Sequence, residues 1–196
     1  MNSTYKQLSS ERTTTLFGRS NEFKALKNAY KRVKDEHSFE RITVHGEAGT
    51  GKTALVMALQ ELVLADNGFF CSGKYFQNSD LGQEPYSAIM SAFSDLCDII
   101  LQSSDFNEER KATIQRLLGS DGNMLLNIVT NISPFLADEE CNRTIEDSKT
   151  MFYCSIDKLK NACKSFLQAM CSTGNPLVLF VDDIQWMDEG SKCLLN

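Results

Sequence analysis

The sequence lacks the features that mark secreted, zinc-binding and membrane-spanning proteins. Its 196 residues include seven scattered cysteines, an odd number without any C-x-x-C spacing. That pattern argues against a zinc site and against a secreted disulfide framework. No apolar run is long enough to cross a bilayer, and residues 1–15 contain no signal-peptide core. We therefore predict reduced thiols in the cytoplasm, with the nucleus as the alternative compartment, and no membrane association.

Basic residues are also few relative to acidic ones. The chain has 20 Lys and Arg against 26 Asp and Glu, and a formal net charge of −6. This balance disfavours a nucleic-acid surface, which needs positive charge to meet the phosphate backbone. The length suits one domain with a real core. We expect a flexible arm over residues 1–15 and a single domain over 16–196.

A complete G-x-x-x-x-G-K-[ST] phosphate loop occupies residues 46–53. The β-branched stretch 41–45 before it predicts a strand, and the stretch 54–62 after it is rich in helix formers. Glycines in such a loop let successive N–H groups turn inward onto a phosphate, and the following helix points its positive end there. The predicted nucleotide-binding residues are Gly46, Glu47, Ala48, Gly49, Thr50, Gly51, Lys52 and Thr53.

Two side chains of this loop are predicted to carry chemistry. Lys52 supplies a mobile positive charge for the β- and γ-phosphates of ATP, which makes it both a binding and a catalytic candidate. The hydroxyl of Thr53 is a candidate ligand of Mg²⁺. ATP and Mg²⁺ are therefore the expected cofactors.

A second motif, residues 176–183, ends an apolar run in two carboxylates. The run 177–181 is typical of a strand buried on both faces of a parallel sheet. Its carboxyl end is where α/β sheets bind ligands. We expect Asp182 to hold Mg²⁺, directly or through water, and Asp183 to orient or deprotonate an attacking water.

The rest of the chain predicts an α/β fold in which a helical insert separates the second and third strands. The first strand is 41–45, the second is 69–76 and the third is 177–181, in a mainly parallel sheet. The insert is either a partner surface or core packing. Helical patterns cover residues 20–34, 86–101, 107–118, 123–132, 147–170 and 188–196.

Three segments together resemble an AAA ATPase domain, of the type attached to bacterial and protist signalling proteins. They are Leu-Phe-Gly-Arg-x-x-Glu at 16–22, the phosphate loop, and the stretch 177–191 that begins Leu-Val-Leu-Phe-Val-Asp-Asp. This type is related to the STAND regulatory ATPases and is similar to origin-recognition ATPases. The resemblance covers nearly the whole chain. It implies a three-layer P-loop core, and it implies that Phe17, Gly18 and Arg19 border the adenine base.

The resemblance also implies a longer protein. Members of the family continue past the acidic strand through two more strands, a polar sensor residue and a helical lid, in the sheet order 5-1-4-3-2. We therefore expect a domain that is incomplete after the acidic strand and marginally folded by itself. Hydrolysis of ATP is expected only with further domains or a protein partner.

Three other interpretations stay open at this point. A small-molecule kinase needs basic residues near the acidic strand, and none is evident in the sequence. An origin-recognition-type ATPase would act on DNA, against which the acidic balance argues. The third is a non-enzymatic remnant that folds poorly.

Overall fold

The computed structural model describes residues 18–36, 38–77, 85–126, 128–136, 156–171 and 174–195. Contacts between residues divide the chain into two units, Met1–Ala65 and Asp66–Asn196. Each unit is described by itself. The predicted arm over residues 1–15 lies outside the described residues, as does Phe17.

Helices make up the regular structure described in the first unit. Helix α1 spans Ser20–Glu36, α2 spans Lys52–Met57 and α3 spans Gln60–Ala65. The helix predicted over 20–34 is confirmed, and its buried residues recur at helical spacing and pack against α2 while most of its lysines are exposed. The buried apolar residues of this unit are Leu26, Ala29, Tyr30, Leu55, Val56, Leu59 and Val63.

The strand predicted at Arg41–His45 is wrong. This segment has no regular secondary structure, and the sheet of the described residues contains two strands instead of the expected three. Ile42, its largest apolar side chain, is 49% exposed. A strand exists only where a neighbour pairs its N–H and C=O groups, and β-branched residues cannot supply that neighbour.

The helix predicted over 54–62 is interrupted. The N–H of Leu59 donates to the carbonyl of Val56, 3.0 Å away, in the tighter bond of a 3₁₀ turn. This turn separates α2 from α3.

The second unit contains a parallel pair of strands, as expected. Strand β1 spans Phe69–Lys74 and β2 spans Leu177–Asp182, with Phe69 opposite Leu177 and Lys74 opposite Asp182. This pairing agrees with the expectation that the acidic strand lies beside the second predicted strand. Because the strands are parallel, their carboxyl ends meet at one edge of the sheet.

Most of the helices predicted for this unit are confirmed. Helix α4 spans Ser87–Leu101, α5 spans Glu108–Leu118, α6 spans Ile156–Met170 and α7 spans Glu189–Leu195. The predicted start of α6, residues 147–155, lies outside the described residues. Gly174, four residues after the end of α6, has a left-handed backbone, with φ of 79°.

The helix predicted over 123–132 is wrong. A 3₁₀ helix, Gly119–Leu125, is followed by turns and by a shorter 3₁₀ helix, Ser133–Phe135. Side chains of α4 hold the turns: the hydroxyl of Ser94 accepts from the N–H of Thr130, and Asn131, at φ of 62°, donates its amide to Asp98. These bonds favour a turn over an i→i+4 ladder.

The core of the second unit lies between the helices and one face of β1. Phe93 of α4 stacks on Phe166 of α6, with ring centroids 4.6 Å apart. The apolar residues of the insert enter the same core, so packing accounts for them. Every residue of β2 is only half-buried, against the prediction of a strand buried on both faces. The reason is that β2 has a single strand neighbour among the described residues.

No helix in the described part of the chain combines the length and the apolar character that crossing a bilayer requires. The five described cysteines carry free thiols. Cys163 is buried in the core, whereas Cys154 lies outside the described residues.

Candidate functional site

The backbone of the phosphate loop uses its glycines where other residues would be strained. Gly46, Gly49 and Gly51 have φ of 154°, 78° and 82°. A Cβ at Gly46 would stand 3.1 Å from Oγ1 of Thr50, whereas a Cβ at Gly49 or Gly51 would meet nothing within 4 Å. The requirement at Gly49 and Gly51 is thus conformational, and at Gly46 it is also steric. The prediction that the loop glycines adopt backbone angles that other residues avoid is confirmed for these three.

Side chains of the loop cross-link it internally. The ammonium of Lys52 donates to the carbonyls of Gly46 at 2.9 Å and Glu47 at 2.8 Å. The hydroxyl of Thr50 donates to the same Glu47 carbonyl at 2.8 Å. The ammonium of Lys52 therefore lies against the first two residues of the motif, Gly46 and Glu47, and its charge faces the loop.

Helix α2 begins within the motif, at Lys52. The N–H of Leu55 donates to the carbonyl of Gly51 at 2.9 Å, which makes the left-handed Gly51 the residue at which loop becomes helix. Gly51 has no side chain with which to cap the helix. Thr53 is in this first turn and is exposed.

Arg19 joins the loop from the segment before α1. Its Nη2 donates to the carbonyl of Thr50 at 2.5 Å, 31 positions along the chain. Gly18, with φ of 72°, turns the backbone just before it. The structure therefore brings Arg19 to the phosphate loop. A role beside adenine stays a prediction for Phe17, Gly18 and Arg19.

The two predicted acids lie where β2 ends. Asp182 is the last residue of the strand, and its carbonyl accepts from the N–H of Tyr75 at 3.2 Å. Its Oδ1 accepts from the N–H of Asp183 at 2.9 Å. Asp183 has a left-handed backbone, with φ of 53°, and Gln185 donates to its Oδ1 at 3.1 Å. Since non-glycine residues seldom adopt this conformation, the turn aims the Asp183 carboxylate in a defined direction.

Lys74, which the sequence analysis treated as part of a strand, is a site residue. Its Nζ lies 3.0 Å from Oδ2 of Asp183. The hydrogen bond with Asp183, followed by the charge of that carboxylate, raises the pKa of the Lys74 ammonium. Sequence reasoning did not find this pair, because it predicted a strand over 69–76, whereas the structure ends β1 at Lys74, opposite Asp182. A small-molecule kinase needs a basic residue near the acidic strand. Lys74 is such a residue, and it is paired with Asp183.

Asp188 connects this edge to helices α4 and α7. Its Oδ1 accepts from the N–H of Ser191 at 2.9 Å, and its Oδ2 accepts from the Ser191 hydroxyl and from the N–H of Tyr86 at 3.2 Å. Burial alone would raise the pKa of Asp188, but the hydrogen bonds from Ser191 and Tyr86 outweigh burial, and the pKa is lowered. Asp188 is thus the cap of α7 and a tether for the start of α4.

Metal binding by protein groups alone is not indicated in the described part of the chain. No cluster of three or more His, Cys, Asp or Glu side chains is placed there to hold an ion. Thr53 and Asp182 nevertheless offer hard oxygen ligands of the kind Mg²⁺ takes beside phosphate oxygens and water. Each of these side chains, Thr53 in the first unit and Asp182 in the second, is of a type that suits a metal arriving with a nucleotide.

An α/β fold with a parallel sheet, together with a complete phosphate loop, is consistent with a P-loop NTPase domain. A family model described as an AAA ATPase domain matches residues 15–196. The chain belongs to this AAA ATPase domain family.

A curated relative extends the comparison. The chain is 30% identical over 182 residues to the hybrid signal transduction histidine kinase G of Dictyostelium discoideum. The match covers 92% of this chain and 5% of the relative, so the chain spans a small part of that protein's length. No solved structure matches the chain significantly.

Proposed function

We propose that the chain is the Mg·ATP-binding module of a regulatory ATPase of the STAND type. The observation that carries the proposal is the phosphate loop, where positive-φ glycines, an inward-facing lysine and an uncapped helix start coincide within eight residues, 46–53. Each feature by itself has structural uses. Together they present backbone donors and a cation to one group with several negative oxygens.

The proposal gives each side chain of the site one task. Lys52 exchanges its loop carbonyls for the β- and γ-phosphates. Thr53 and Asp182 supply oxygen ligands to Mg²⁺ when it is bound, and the ion neutralises charge on the phosphates. Asp183 orients the attacking water or accepts its proton. Arg19 braces the loop through the carbonyl of Thr50.

A signalling context is part of the proposal. It is supported by the relative, whose printed name is that of a signal transduction histidine kinase and of which this chain matches 5%. In such a protein the module would report its nucleotide state to attached domains or to a protein partner in the cytoplasm. We assign ATP binding to this chain and ATP turnover to the longer assembly, because hydrolysis needs groups that complete the site around the γ-phosphate.

Calorimetric titration with ATP tests the proposal, in Mg²⁺ buffer and again with the metal chelated. We expect saturable binding of one nucleotide, weakened when Mg²⁺ is removed and weakened by Asp182→Asn. Asp183→Asn should leave the affinity nearly intact. Absence of binding, or binding indifferent to Mg²⁺ and to Asp182, would contradict the assignment.

A further inference from the structure

A buried cation with two unpaired nitrogens in the described part of the chain lies far from the phosphate loop in the sequence, at Arg110 of α5. Arg110 is 8% exposed, although arginine is almost never buried unless it is paired. Nε and Nη2 of its guanidinium have no hydrogen-bond partner among the described residues. Burying donors of a charged group without acceptors is costly, so this arrangement requires an explanation.

The two unpaired nitrogens share one edge of the guanidinium. The N–H bonds of Nε and Nη2 run parallel along that edge, at the spacing of two oxygens of a carboxylate or a phosphate. The two unpaired donors at this edge can therefore form a bidentate contact with one oxyanion. One unpaired nitrogen alone would not indicate a ligand with two oxygens.

The surroundings hold the guanidinium in place but do not neutralise it. Its central carbon lies 5.9 Å from the ring centroid of Phe69, the first residue of β1. The backbone N–H of Arg110 is already used, since it donates to the side chain of Asn107, the cap of α5. Burial lowers the pKa of Arg110, and the charge of Asp105 raises it without a hydrogen bond between the two side chains in the described part of the chain. The positive end of α5 further disfavours an unpaired cation there.

We infer that Arg110 forms a second anion site, at the end of the sheet where β1 begins, for the oxyanion of a small carboxylate or phosphate compound. Phe69 supports one face of the guanidinium, and the Nε–Nη2 edge donates two parallel hydrogen bonds to the anion. A long side chain can swing its head toward solvent, which gives the anion its route to the edge. This site is separate from the phosphate loop in sequence and in composition.

Thermal melting of the full chain tests this site with two probes, inorganic phosphate and acetate, against chloride at equal ionic strength. The background is Lys52→Ala, which removes the phosphate-loop cation. In this background we expect one probe to raise the melting temperature saturably, by about 3–6 °C at ten times its dissociation constant. Phosphate alone acting would identify a phosphate site, and acetate alone acting would identify a carboxylate site.

Arg110→Met is the matched variant, because it keeps the apolar stem and removes the donors. We expect it to melt at or above the temperature of its parent in chloride and to lose the response to the probe. If it does not fold, the Nε–H resonance of Arg110 in the parent protein replaces it, and this resonance should shift saturably with the probe. An equal response of Arg110→Met, or an unmoved Nε–H resonance, would overturn the inference.

Asp105→Asn distinguishes an internal partner from an external one. The inference predicts that this variant keeps the response to the probe and melts close to its parent in chloride. A large fall in its melting temperature in chloride, with the response lost, would show that Asp105 is the counter-ion and that no anion site exists.

Discussion

Lys74 and Asp183 form an ion pair across the carboxyl edge of the sheet, with Nζ 3.0 Å from Oδ2. Lys74 ends β1, and Asp183 follows the last residue of β2, so the parallel register places the two side chains together. The pair is partly open to solvent, with side chains 52% and 33% exposed. The pair therefore adds little to stability. Its effect is to orient the carboxylate of Asp183, to which we assign the attacking water.

The titration of Lys74 gives the first prediction. Because Asp183 raises the pKa of Lys74, Asp183→Asn should lower that pKa toward its ordinary value, as followed by NMR at the ε-carbon. The pKa of Lys74 is raised in the folded state. Its stabilising effect is therefore complete below the ordinary lysine pKa of 10.5 and is lost as pH rises through the folded value.

A matched control for this titration is Glu189→Gln. It removes the surface pair between Glu189 and Lys192 on α7, and it should leave the Lys74 titration where it was. An unchanged Lys74 pKa in Asp183→Asn would show that the pair does not persist in solution.

Asp188 gives the second prediction. Asp188→Ala should destabilise the fold by about 2–4 kcal/mol, because α7 loses its cap and the fully buried Ser191 loses its acceptors. The folded pKa of Asp188 is lowered. The stability difference between wild type and variant should therefore be complete above the ordinary aspartate pKa of 3.8 and shrink as pH falls through the folded value.

Urea unfolding at neutral pH and at several acidic pH values measures the effect of Asp188→Ala. Glu189→Ala is the control, since its exposed side chain is not the cap, and it should cost little at any pH. A cost for Asp188→Ala that is small, or that is independent of pH, would mean that Asp188 does not hold this junction.

Gly73 gives the third prediction. A Cβ at this position in β1 would clash with the backbone carbonyl oxygen of Ala88 in α4, and backbone cannot move aside as a flexible side chain can. Gly73→Ala should therefore cost about 3 kcal/mol or more of stability and displace the neighbouring Lys74. Ser72→Ala, one position earlier, is the control and should be mild. Equal melting temperatures for the two variants would contradict the close approach of β1 and α4.

Local patterns predicted much of this molecule because the physics behind them is local. The glycine positions of the phosphate loop follow from backbone conformations that other residues avoid, and the start of α5 follows from its cap at Asn107. The pairing of β1 with β2 followed from the resemblance to the AAA family, through its sheet order.

The errors arose where a partner decides the structure. Residues 41–45 have strand composition but no neighbour to pair with among the described residues. Strand β2 is only half-buried because it has a single strand neighbour there. Residues 123–132 have helical spacing, yet Ser94 and Asp98 of α4 hold part of that stretch in turns. Lys74 was missed because its role appears only once both strands are placed side by side.

The most direct measurement of the central claim is the affinity for Mg·ATP of Lys52→Ala, compared with wild type and with Lys192→Ala by calorimetry. Lys192 is a surface lysine on α7 that is half exposed, so its variant removes the same charge away from the loop. The loss of one charge-assisted contact to the phosphates should weaken binding about 10- to 150-fold in Lys52→Ala and leave Lys192→Ala unchanged. Equal affinities for all three proteins would show that residues 46–53 do not bind the triphosphate.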